Sequence, residues 1–88
     1  MTVSELHIGQ GTVGVTAQPV TLAFQMQRHV LIKADAGNTG TIFIGGPSVT
    51  AALGWPLAAG EEVPLETDVS QIGIIADAAD QKYSYLLT

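Results

Sequence analysis

Apolar and polar residues alternate along most of this chain, in short runs separated by Gly, Pro, Asn and Asp. A strand places residues i and i+2 on one side, so each run predicts a strand with one dry and one wet face. Residues 12–17 set Val13, Val15 and Ala17 against Thr12, Gly14 and Thr16. Residues 20–27 alternate most cleanly, with Val20, Leu22, Phe24 and Met26 on one side and Thr21, Ala23, Gln25 and Gln27 on the other. In residues 28–35 the buried set is Val30, Ile32 and Ala34, with His29, Leu31, Lys33 and Asp35 turned outward. A polar turn at 36–40 comes next, then residues 41–45 with Ile42 and Ile44 inward and Phe43 outward. Two alternating runs about a short turn rich in Gly and Asn predict a hairpin. Leu31 and Phe43 are then two large apolar side chains on its outer face, and both become interface candidates.

The remaining segments extend the same pattern. Residues 61–66 turn Val63 and Leu65 inward and Pro64 outward, and a residue without an N–H predicts an edge strand. Residues 69–76 and 82–87 supply two more strands, the last with Tyr83, Tyr85 and Leu87 on one face. Segment 48–52 reads equally as a strand or a helical turn. Residues 54–60 read as a loop, with Trp55 expected as a plug over an open end of the core. At the start, Leu6 and Ile8 share one side of a short strand, and Gly9, Gly11 and Gly14 are expected to loosen the next segment. Residues 1–10 therefore read as an N-terminal arm or short strand, and 11–88 as one domain. The prediction is an all-β fold, a single small antiparallel β-sandwich or jelly-roll-like barrel of about seven or eight strands. No period recurs that would mark a solenoid or propeller.

Composition adds the question of what covers this domain. A chain of 88 residues buries a small core, and with no Cys it has neither disulfides nor thiolate metal sites to reinforce it. Hydrophobic residues make up 47% and charged residues only 12%, well below the usual share, so apolar surface is left to cover. Homo-oligomerisation, with a trimer favoured, is the expected remedy. Net charge is −5, and Arg28, Lys33 and Lys82 are the only basic side chains. That balance argues against nucleic-acid phosphates and against anionic membrane surfaces. No apolar run reaches the length of a membrane span, and Met1 to Glu5 lack the pattern of a secretory signal.

Candidate chemistry is sparse. His7 and His29 lie far apart, without the neighbouring ligands a metal site needs. Glu61, Glu62, Glu66 and Asp68 form the densest charge cluster, but no calcium-loop spacing accompanies them. An edge guarded against strand addition is the better explanation. Gly9-x-Gly11-x-x-Gly14 has the spacing of a dinucleotide fingerprint but precedes a strand rather than a helix. None of the four serines sits in a nucleophile-elbow pattern. No catalytic, cofactor-binding or metal residue is therefore predicted, and a non-enzymatic protein is expected.

Two stretches carry a resemblance. One runs from Arg28-His29-Val30-Leu31-Ile32-Lys33 through Asn38-Thr39-Gly40-Thr41-Ile42-Phe43-Ile44-Gly45-Gly46. The other runs from Val49 through Gly54-Trp55-Pro56-Leu57-Ala58-Ala59-Gly60-Glu61. Over residues 20–88 the chain resembles small structural proteins of tailed bacteriophages, including capsid cement or decoration proteins. The shared features are turns rather than a catalytic signature. The resemblance implies a virion component on the capsid surface, made in the host cytoplasm. Often trimeric, such a protein would bridge and stabilise major capsid subunits. A tail or head-fibre attachment module is the alternative within that class. A carbohydrate-binding module using Trp55, Tyr83 and Tyr85 is the alternative outside it. The interface candidates are Leu6, Ile8, Leu31, Phe43 and Trp55.

Overall fold

The computed structural model describes residues 7–20, 29–67 and 71–87. The predicted strand at 20–27 lies almost wholly outside them, and so does Leu6. Eight strands are present among the described residues. In chain order they are β1 (His7–Val13), β2 (Gln18–Pro19), β3 (Val30–Ala34), β4 (Ile42–Gly45), β5 (Trp55–Leu57), β6 (Glu62–Leu65), β7 (Gly73–Ala76) and β8 (Gln81–Leu87). All their pairings are antiparallel. β1 pairs with β8, β2 with β7, β3 with β6 and β4 with β5, the pattern of one long hairpin closed between β4 and β5. Two further pairings, β3 with β8 and β4 with β7, roll that hairpin up. A first sheet ordered β1-β8-β3-β6 then faces a second ordered β2-β7-β4-β5. The chain is thus a small β-sandwich with jelly-roll winding.

Alternation decides which side of each strand enters the core. Val13, Val30, Ile32, Ala34, Tyr83 and Leu87 line the first sheet's inner face, and Ile42, Ile44, Leu57, Ile74 and Ala76 line the second's. Burying these apolar side chains is the main stabilising term, at roughly 1.5–3 kcal/mol for each large aliphatic one. Pro64 lies on an edge strand, as its missing N–H predicts. Pro19 and Pro56 also lie on edge strands.

The expected hairpin of residues 28–45 is absent. β3 belongs to the first sheet and β4 to the second, so the turn between them crosses from one layer to the other. Both strands do turn their β-branched residues inward, but from opposite walls. Alternation specifies an inward side and is silent on whether the next strand lies beside or opposite. Polar side chains hold the crossing. Asn38 acts as a strand neighbour to Lys82, its amide donating to the Lys82 carbonyl and its Oδ1 accepting the Lys82 N–H, both at 2.8 Å. Gln81, 3% exposed, accepts the Gly40 N–H at 2.8 Å and donates to the Ala79 carbonyl at 2.8 Å. Asp77 Oδ1 accepts the Thr41 N–H at 2.9 Å. A buried amide with such partners satisfies its polar atoms, as burial requires.

The glycines at the start of the chain act differently from expectation. Residues 7–13 are one strand without a break, paired to β8 from His7↔Leu87 to Val13↔Gln81. Gly9 lies opposite Tyr85 and Gly11 opposite Tyr83. A methyl built on either glycine would land in the facing tyrosine ring. The Gly-x-Gly spacing is thus a notch that lets two aromatic rings lie across β1. The buried Tyr83 hydroxyl then reaches the Val20 carbonyl, to which it donates at 2.7 Å. Val15 is not an inward continuation of Val13; it stands in the bend after β1 and is 66% exposed.

Candidate functional site

The outer faces of the two sheets differ, and the difference defines the site. On the first sheet the residues between the core positions point outward. Cross-strand register places Ile8 opposite Leu86, Leu86 opposite Leu31, and Leu31 opposite Pro64. One apolar row therefore crosses all four strands. The next row is polar: Gln10, Ser84, Lys33 and Glu62. Ile8 is 70% exposed, Pro64 is exposed, and Leu31 and Leu86 are half-buried. A shallow groove of about 240 Å³ runs beside the row, between His29, Leu31, Pro64, Glu66 and Leu86. Neighbouring Cβ atoms across strands lie about 5 Å apart, so the row forms a continuous strip of apolar side chains.

On the second sheet the equivalent row is Pro56, Phe43 and Ile75. Residues 46–54, the connection from β4 to β5, fold back against this face. Val49 is buried against Gly45 and close to Gly54, where a Cβ would run into the Phe43 Cβ. Gly73 has the Gly46 carbonyl and Pro47 against it. Small residues at these places let the loop approach the sheet backbone. The loop holds itself with turns, Val49 N–H to the Gly46 carbonyl at 3.0 Å and Gly54 N–H to the Thr50 carbonyl at 2.8 Å. Segment 48–52 is thus not a strand: it leads into a single hydrogen-bonded turn from Thr50 to Gly54, and belongs to this loop.

Of the sequence candidates, Ile8 and Leu31 come together on the open face. Phe43 stands on the opposite outer face, half-buried under residues 46–54. Trp55 is not a loop plug. It begins β5 opposite Ile44, and at 65% exposure it flanks an opening instead of filling it. That opening is an apolar cavity of about 440 Å³ between the sheets, with Ile44, Val63, Leu65 and Ile72 in its wall. A second, open groove runs from Trp55 past Gly60 to Glu61 and Glu62.

Sequence reasoning missed Leu86 and Pro64 as members of the row, and Leu53, which is 88% exposed. One signal was available for Leu86. It interrupts the alternation of Tyr83, Tyr85 and Leu87 with an apolar residue on the wet side. Among the described residues no group of three His, Asp or Glu side chains could hold a metal ion, and no helix is long and apolar enough to cross a membrane. Burial raises the Tyr83 hydroxyl above its usual pKa, with a hydrogen bond from the Gln18 side chain opposing the rise and the charge of Tyr85 adding to it. That hydroxyl is spent on the Val20 carbonyl. Comparison with known proteins identifies no relative: no family model, no curated protein and no solved structure matches the chain.

Proposed function

We propose that this protein is a non-enzymatic structural component of a bacteriophage virion, a cement or decoration protein that binds the capsid through the outer face of its first sheet. The observation that carries the reading is the apolar row Ile8, Leu86, Leu31 and Pro64, with Ile8 and Pro64 exposed and Leu31 and Leu86 half-buried among the described residues. A small domain with an apolar row across the outer face of one sheet has a surface suited to a partner. Capsid subunits are such a partner, and the resemblance over residues 20–88 points to them. The mechanism is added interface: each copy buries its row on neighbouring capsid subunits and raises the cost of separating them.

The test is a copy count in purified particles of the phage that encodes the chain. Hundreds of copies per particle are expected for a capsid protein. A handful would move it to the tail or a fibre base, and none would remove it from the virion. A Leu31→Asp, Leu86→Asp double variant should fold by circular dichroism and lose occupancy. The exposed Trp55 beside Glu61 and Glu62 favours a second reading, a glycan-binding module. Trp55 is the only Trp, so its fluorescence reports that site alone. A saturable change on titration with phage-host surface glycans would support this second reading.

A further inference from the structure

The open groove of about 640 Å³ beside β5 joins the exposed Trp55 and the buried Leu57 to Gly60, Glu61 and Glu62. β5 and β6 are edge strands of different sheets, and the turn between them forms the far side of the groove. That turn holds one carboxylate in place. Glu61 Oε1 accepts the Ala58 N–H at 2.8 Å, and the Glu61 N–H donates to the Ala58 carbonyl at 2.9 Å. The end of β3 fixes the turn in space. The Gly60 N–H donates to the Ala34 carbonyl at 3.0 Å, and the Ala34 N–H to the Glu61 carbonyl at 2.8 Å. Gly60 adopts a φ of 85°, and a Cβ there would meet nothing within 4 Å, so the turn leaves the groove open. Glu61 therefore presents a positioned carboxylate with one oxygen spent on the turn and one left over.

Charge around the groove is one-sided. Residues 34–81 hold every acidic side chain of the protein except Glu5, and they contain no Lys, Arg or His. Lys33 stands opposite Glu62 in the β3–β6 register, so it offsets the charge of Glu62 ahead of that of Glu61.

We propose that this groove binds an arginine side chain of a partner protein, with the guanidinium stacked on Trp55 and donating to the oxygen of Glu61 that the turn leaves over. A guanidinium is planar, weakly hydrated and always charged. It can lie on an indole face and at the same time hydrogen-bond a carboxylate in its own plane. A neutral sugar could also stack on Trp55, but it would gain nothing from the unbalanced negative charge. The groove lies apart from the apolar row on the first sheet, and the contact does not depend on that row.

Trp55 fluorescence reads the contact, since the chain has no other Trp. The probe is N-acetyl-arginine amide. N-acetyl-citrulline amide serves as its uncharged isostere and maltose as a neutral sugar. Arginine amide should give a saturable change with a Kd of about 1 mM, the scale expected for one side chain at an exposed site. Added salt should weaken it. Glu61→Gln removes the charge and keeps an acceptor for the Ala58 N–H, so it should fold by circular dichroism and raise the Kd about fivefold. Glu62→Gln should raise it less, because Lys33 already offsets that charge. No saturation by arginine amide at tens of millimolar would overturn the inference. So would equal binding of citrulline amide, or an unchanged Kd in a folded Glu61→Gln. Saturation by maltose and not by arginine amide would overturn it in favour of a glycan. If Glu61→Gln does not fold, the citrulline comparison and the salt dependence decide the matter on the wild type.

Discussion

Leu31 and Phe43 look alike in the sequence, each a large apolar residue between two core positions of an alternating run. In the folded chain they stand on opposite outer faces with different fates. Phe43 lies between Pro56 and Ile75 under residues 46–54, which bring the buried Val49 down onto that sheet. Leu31, also half-buried, lies between Leu86 and Pro64 in a row that ends on the exposed Ile8. Each sheet makes apolar side chains on both sides, and the β4–β5 connection seats on the second sheet's outer face at Gly45, Gly54 and Gly73, although Pro56 in the same row stays exposed and Phe43 is half-buried like Leu31. An outward apolar residue thus has two meanings, cover for the protein's own loop or a surface for a partner, and the length of the neighbouring connection separates them.

The largest expected effect breaks the covered face. A Cβ on Gly54 would lie 2.7 Å from the Phe43 Cβ and 3.1 Å from the Thr50 carbonyl oxygen, and backbone cannot step aside cheaply. Gly54→Val should cost about 3 kcal/mol, the upper range for overpacking. Urea unfolding measures it, and a midpoint equal to wild type would mean the loop is not seated on the sheet.

A matched pair sharpens the comparison next. Phe43→Ser should lower stability by about 2 kcal/mol, since it removes a half-buried ring from the sheet face on which the loop at Gly54 is seated. Leu31→Ser should cost less than about 1 kcal/mol and instead reduce particle occupancy. Equal losses of stability at the two positions would erase the distinction between the faces.

The smallest effect concerns how the first sheet is closed on its inner side, where Tyr83 lies across Gly11 in place of a covering loop. Tyr83→Phe should cost about 1 kcal/mol by removing the hydrogen bond to the Val20 carbonyl. Its pH dependence has a definite sign. Burial raises the folded-state pKa of Tyr83 above its unfolded value near 10. The folded state therefore binds its proton more tightly, and that contribution is intact below pH 10 and lost as pH climbs through the raised value. Wild-type urea midpoints should be level from neutral pH to about 9 and then fall, and Tyr83→Phe should flatten part of that fall. An unchanged fall in the variant would assign it to other groups.

Much of the fold was legible because period-two patterning is a local property. Val30, Ile32, Ala34, Ile42, Ile44, Ile74, Tyr83 and Leu87 are all buried where alternation predicts. Pro64 declares an edge by lacking an N–H, and β6 is one. Ile8 and Leu31 were legible as outward residues for the same local reason. The apolar row was not, because its members are separated by tens of residues and meet only through register. Trp55 misled because a Trp between Gly and Pro suggests a loop, whereas Pro56 is tolerated on an edge strand. Gly9 and Gly11 misled because an absent side chain looks like freedom in a sequence. Here it is space, taken by tyrosines more than 70 residues away.

By itself the sequence determined that the chain is all-β and which side of most of its strands is dry. Those properties come from side-chain geometry within a few residues. Tertiary structure alone decided that the turn at 36–40 crosses between layers, that the β4–β5 connection seats on the second sheet, and that Ile8, Leu86, Leu31 and Pro64 fall into one row. These depend on which strands become neighbours. That choice is made by the closing of the whole core, when β3 meets β8 and β4 meets β7, and no short window of residues contains it.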